Sequence, residues 1–232
     1  MNKYHQEILE EIKKESSGKE VSEDKYFGTK RINYKLSQPK SRIIAKEWSK
    51  NHQNISLEEF TLLLDSLYQG ESHDERTFGS KLLEYLPSLR KQIDPALIEK
   101  WLTGAQGWWE VDSLCQMSFS SQEVLANWKK WEKLFTKLVV DPDVHKRRAS
   151  LVLLTKPVSE SNDLGLAKIA FKNIEKLKGD KDILITKAIS WLLRDLIKHH
   201  REQVVYYLDK NSDNLPKIAI RETKNKLITG KK

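Results

Sequence analysis

Apolar positions recur three and four apart along most of this chain, the spacing that lines one face of an α-helix, and strand-type alternation is absent throughout. Tyr4, Ile8, Leu9 and Ile12 set a first helix over residues 3–15, closed by Ser16, Ser17 and Gly18. Residues 20–38 lose the period and read as a polar loop with short helical turns, carrying Tyr26-Phe27-Gly28 and the basic pair Lys30-Arg31. One of the two rings, Tyr26 or Phe27, is expected to pack as core. From Pro39 the pattern becomes helix after helix. Residues 40–51 are expected to bury Ile43, Ile44 and Trp48, and a capping box from Ser56 to Glu59 precedes inward Phe60, Leu63, Leu64 and Leu67. Residues 74–86 follow with Phe78, Leu82 and Leu83 up to the stop at Pro87, then 96–102, then a short helix over 108–117.

The second half predicts one long helix over 121–140 with Trp128, Trp131 and Phe135 as core, a helix over 145–154 ended near Lys156-Pro157, and another over 164–177. Helices over 183–200, 203–208 and 217–228 complete the chain. The fold class is therefore all-α. Helix pairs recur at roughly 35 to 45 residues, the range of HEAT-like units, and stacking such pairs builds a curved solenoid with a concave face. A globular helical bundle is the competing architecture. On the repeat reading the chain is a single domain, with residues 1–38 as a helical cap and basic loop and residues 39–232 as the repeats.

Composition narrows the partner. Lys and Arg number 41 against 33 Asp and Glu, a net charge of +8 that favours an anionic ligand, nucleic acid first. A single cysteine, Cys115, excludes an intrachain disulfide and a Cys-rich zinc site and fits a reducing cytoplasm. The His residues show no metal-ligand spacing, and no apolar run is long enough to span a bilayer, so neither metal, cofactor nor membrane is expected.

Three stretches carry candidate chemistry. In Lys187–Lys198 the apolar set Ile185, Ala188, Ile189, Leu192, Leu193 and Leu196 fills one side, which leaves Trp191 on the other among Lys187, Arg194 and Lys198. A large ring held out among cations suits something anionic and flat; the alternative is an indole covered by a neighbouring helix. Trp108 and Asp112 stand four apart, so ring and carboxylate share a helix face, unless Asp112 merely caps or pairs locally while Trp108 fills core. Arg147 and Arg148 open an apolar helix at the end where the dipole disfavours cations. An acid such as Asp112 or a phosphate would hold them, or Arg147 is simply solvated. Phosphate-cradling glycine loops, HExxH and nucleophile elbows are missing.

Taken in order, the segments WWEVDSLC, HKRRASLVLL, KAISWLLRDLIK and LPKIAIRETKNKL, with HDERTFGSKLLEYL and YFGTKR before them, resemble the DNA alkylation repair family of HEAT-like-repeat glycosylases, the AlkD type. The resemblance implies a solenoid whose concave basic groove grips double-stranded DNA and removes positively charged N3- or N7-alkylated purines; a solenoid that binds through its concave face is expected to act as a monomer. It implies Asp112 as the catalytic carboxylate, Trp108 and Trp191 as the indoles flanking the lesion, and Arg148, with Arg147 beside it, at the backbone. Lys187, Arg194 and Lys198 would neutralise phosphates, and Tyr26 is a further contact candidate. Trp109 and the basic insertion over 30–38 depart from the family pattern. The residues suit this chemistry: an alkylated purine leaves neutral, so one carboxylate suffices where sugar hydrolysis needs two. The alternatives are a HEAT-like DNA-binding protein without excision and an interaction solenoid that takes an acidic peptide.

Overall fold

The computed structural model describes residues 2–17, 24–116 and 118–231. Gly18 at the end of the first predicted helix, positions 20–23 of the predicted loop and Met117 at the end of the 108–117 prediction lie outside the described residues. Among the described residues there are thirteen α-helices and no β-strand, and two isolated bridges mark the loop between the first two helices. The chain forms two compact units that meet in sequence between Ser118 and Phe119.

The first unit contains α1 (Lys3–Glu15), α2 (Gln38–Asn51), α3 (Leu57–Tyr68), α4 (His73–Tyr85), α5 (Pro87–Arg90), α6 (Ala96–Leu102) and α7 (Gly107–Cys115). Helix α4 touches α2, α3, α5 and α7, and it is buried nearly all round, polar first turn included. Buried polar groups must find partners. Glu75 completes a capping box with Ser72 and accepts His5 Nε2 at 2.8 Å, while His5 Nδ1 lies 2.7 Å from Ser66 Oγ. Asp74 accepts the Tyr34 N–H at 2.6 Å. The first turn of α4 thereby ties α1, α3 and the loop before α2 to one element.

The second unit contains α8 (Ser121–Ala126), α9 (Trp128–Leu138), α10 (Val144–Glu160), α11 (Leu164–Leu177), α12 (Ile183–Lys210) and α13 (Lys217–Thr229). Helix α10 is its centre, packed against α8, α9, α11 and α12. Every residue from Arg148 to Thr155 is buried, the mark of a helix enclosed on all sides rather than an amphipathic one. The predicted stripe of α12 is fully inside: Ile185, Ala188, Ile189, Leu192, Leu193 and Leu196 expose nothing.

Four expectations shift. Ile43 is 55% exposed, because it adjoins Ile44 and only one of two neighbours can share the face that Trp48 closes one turn later. The long helix over 121–140 is two, split at Asn127, whose φ of −123° and ψ of 38° leave the helical region; Trp131 is then core and Trp128 is half-buried. Pro157 does not end α10. Its missing N–H and ring clash cost about 3 kcal/mol in a helix interior, yet the last turn is fixed by buried Val158 and by a Thr155 hydroxyl that donates to the Val152 carbonyl. Finally, α12 runs on through a kink at His200 and joins the two helices expected over 183–200 and 203–208.

Candidate nucleic-acid interface

Helix α7 is held at its start by the loop before α2. Asp24 closes a tight turn: its carboxylate accepts the Tyr26 and Phe27 N–H groups at 3.0 and 3.2 Å, and its backbone pairs with Thr29. Gly28 reverses the chain with φ +72°. The turn presents two carbonyls to α7. Phe27 O accepts the Trp108 N–H at 3.2 Å, and Tyr26 O accepts the Trp108 indole N–H at 2.7 Å. Gly107, with φ +66°, allows this approach, since a Cβ there would stand 1.8 Å from the Phe27 carbonyl oxygen.

An aromatic cluster results. The Tyr26 ring meets the Trp108 ring edge-on at 5.6 Å, and Phe27 lies 5.8 Å from both Trp108 and Trp109 and stacks on His73 at 5.0 Å. Tyr26 is 74% exposed and Phe27 only half-buried, so Phe27 is the inward ring of the pair but neither ring is core as expected. Trp108 is half-buried rather than core, with Asp112 one turn further along α7. Asp112 itself is buried, 4% exposed, where its charge acts through less water than at a surface. Trp109 packs against Phe27 and Trp108 with its indole N–H buried and without an acceptor.

The opposite face of α7 carries Glu110, a residue to which the sequence reading assigned nothing. Its carboxylate faces Arg76 Nε at 3.1 Å, Arg31 Nε at 3.4 Å and His73 Nδ1 at 3.5 Å, and accepts the Gln106 N–H at 2.9 Å and the Thr29 hydroxyl at 3.2 Å. Burial pushes this carboxyl up, but the His73 hydrogen bond, the Gln106 N–H and the two guanidiniums outweigh it, and the net shift is downward. The insertion over 30–38 is largely neutralised as well: Arg31 also donates to the Gly104 carbonyl at 2.6 Å, and Lys35 pairs with Asp24.

In the second unit, Trp191 is half-buried on α12, and its indole N–H draws the carboxyl of Asp195, four residues on, toward its charged form. Lys187 and Lys198 are exposed beside it. Arg194 is not: about 60° round the helix from Trp191, it is buried, donates to the Ser190 carbonyl at 3.1 Å and meets Glu222 of α13 at 3.6 Å. The two arginines of α10 are also engaged. Arg147 pairs with Asp180 at 3.1 Å and donates to the Asp141 and Pro142 carbonyls, so the acid that meets it is Asp180. Arg148 is buried and donates to the Leu184 carbonyl in the first turn of α12. This placement explains two cations at the wrong end of a helix: carbonyls and a carboxylate outside the helix offset its dipole.

Asp195 stands four residues from Trp191, the spacing that also separates Trp108 and Asp112, so this second indole and acid share a helix face as well. Burial lifts the Asp195 carboxyl to about 6 against the pull of Arg194, Lys226 of α13, the indole N–H and Lys198. A raised carboxyl pKa means that its contribution to stability is intact below the unfolded value of 3.8 and lost as pH rises through about 6. Asp195→Asn should therefore be more stable than the parent chain near pH 8, by up to about 3 kcal/mol. The two melting curves should converge as the pH falls toward 4, and a constant gap would contradict the assignment.

Among the described residues no group of three or more His, Cys, Asp or Glu side chains could hold a metal ion, and no helix is long and apolar enough to cross a membrane. Comparison with solved structures finds the same helical-repeat fold at low identity. A protein from Enterococcus faecalis described as a predicted DNA alkylation repair enzyme aligns with a TM-score of 0.70 at 17% identity, over 86% of this chain and 90% of that one. AlkD2 from Streptococcus mutans aligns at 0.62 and 17%, over 97% and 98%, and smu.31 from Streptococcus mutans UA159 at 0.58 and 18%, over 84% and 92%. No curated protein gives a significant match. The model of the family described as DNA alkylation repair enzyme matches residues 6–227, and on that span, nearly the whole sequence, the chain belongs to the DNA alkylation repair enzyme family.

Proposed function

We infer that the protein is a monofunctional DNA glycosylase that excises positively charged N3- or N7-alkylated purines from double-stranded DNA as a monomer. The observation that carries this reading is the pairing on α7 of a half-buried indole anchored from outside with a buried carboxylate one turn away, Trp108 and Asp112. The leaving base already carries positive charge. As its glycosidic bond breaks, the bonding electrons neutralise the purine and cationic character moves to the deoxyribose. A carboxylate ~4 Å from that centre, at an effective dielectric near ~20, gains ~4 kcal/mol. If the gain is realised in the transition state alone, that is on the order of 10³ in rate. Water then adds to the sugar carbon and gives up a proton, for which Asp112 is the acceptor in this reading. Trp108 offers an electron-rich face to sugar and cation, a surface that the exposed Tyr26 extends, and on α12 the half-buried Trp191 offers an indole face of its own to the duplex.

Release of 7-methylguanine from methylated duplex DNA tests the reading: release above the uncatalysed rate supports it. Tight, salt-dependent duplex binding with no base release would favour the non-catalytic binding protein. Among the cations, Lys187 and Lys198 stand exposed while Arg147, Arg148 and Arg194 are engaged within the fold. Lys187→Ala and Lys198→Ala should each weaken duplex binding uniformly across sequences. Each should also lower the slope of log K against log salt by about 0.9, as for one phosphate contact. Titrations at several salt concentrations measure this, and an unchanged slope would remove that lysine from the interface.

A further inference from the structure

We propose that Glu110 is a positioning residue for excision, fixing the rotation of α7 about its own axis and with it the direction in which Trp108 and Asp112 point. The inference rests on the glycosylase reading above. Glu110 lies two residues from each of them, about 200° round a helix, so its carboxylate points away from the face they share. Its side chain is 2% exposed and gathers groups from three directions: Thr29 and Arg31 from the loop before α2, His73 and Arg76 from α4, and the Gln106 N–H from the turn that opens α7. A short helix of nine residues held on one side by such a network cannot roll without separating buried charges. A roll of a few tens of degrees would swing a side chain on the opposite face by an ångström or more, enough to lose a productive geometry.

The arginines are themselves fixed. Arg76 donates to the Trp101 and Thr103 carbonyls at 3.3 and 3.0 Å, and Arg31 to the Gly104 carbonyl. Their Nε atoms are buried, face Glu110 and make no directed hydrogen bond, so they hold the carboxylate by charge. Removing that charge while keeping the side chain's shape should therefore loosen the orientation of α7 without emptying the space.

Glu110→Gln and the milder Arg31→Met, compared with the parent chain, give the test. Single-turnover release of 7-methylguanine and affinity for the same duplex are measured separately. Glu110→Gln should slow release by roughly 10–100-fold with affinity within about threefold of the parent, and Arg31→Met should fall between the two. A folded Glu110→Gln that releases base at the parent rate overturns the proposal. So does a loss of affinity that accounts for the whole effect, since that would be damage to binding rather than to orientation. If Glu110→Gln does not fold, Arg31→Met decides by the same criterion of slower release at kept affinity. A parent chain that releases no base at all sinks the glycosylase reading itself, an outcome distinct from an active parent with unaffected variants.

Discussion

Asp112→Asn is expected to bind methylated duplex DNA about as well as the parent chain and to release 7-methylguanine on the order of 10³ more slowly. Asparagine keeps the size and the hydrogen-bonding reach of the side chain and removes its charge. In the ground state the neighbouring purine carries the positive charge, and in the transition state the sugar does. A carboxylate beside the sugar therefore acts mainly on the second state, which is why rate and affinity should separate. The burial of Asp112 raises the stake, because a charge screened by little water interacts more strongly with a developing cation. The assay is single-turnover excision alongside fluorescence anisotropy. Full retained excision would take Asp112 out of the mechanism and leave α7 as a binding surface.

Gly107→Ala should be the most disruptive single-atom-scale change in the first unit. The substitution places a methyl group 1.8 Å from the Phe27 carbonyl oxygen, and the φ of +66° is a conformation that alanine adopts only with strain. The cheapest relief is to detach the turn over 24–29 from α7. That breaks both hydrogen bonds to Trp108, from its backbone N–H and its indole, and separates Thr29 and Arg31 from Glu110. A loss of about 3 kcal/mol is expected, or a fall in Tm of roughly 6–12 °C. Proteolysis should become faster within residues 24–36. A variant that melts like the parent would show that this backbone approach is not a constraint.

Much of the architecture was legible from spacing alone. Sequence pattern located helices α1, α6, α11 and α13 within a residue or so of where they form, and the apolar period identified the buried stripe of α12 residue by residue. Periodicity works there because each of those helices turns a single face to the rest of its unit. It misleads where a break carries no apolar signal, as at Asn127, and where packing outweighs a local preference, as at Pro157.

The candidate site divides in the same way. The four-residue spacing of Trp108 and Asp112, the outward half of Trp191 and the odd placement of Arg147 and Arg148 could all be read along the chain, because each is a relation within one helix. What held those arginines could not. Asp180 lies 33 positions from Arg147 in sequence and the Leu184 carbonyl 36 from Arg148, so each is held by a group that comes near only after the unit folds.

Sequence by itself determined which faces of the helices are apolar, where an indole and an acid share a turn, and which family the segments resemble, since these depend on residue type and helical pitch. Tertiary structure decided which charges remain exposed to an anion and which are spent inside the fold. It also decided that Glu110, with no distinguishing mark in the sequence, becomes the meeting point of the loop, α4 and α7. The reason is that a charge's effect depends on distance and on how much water remains around it, and both are properties of the packed units rather than of any stretch of chain.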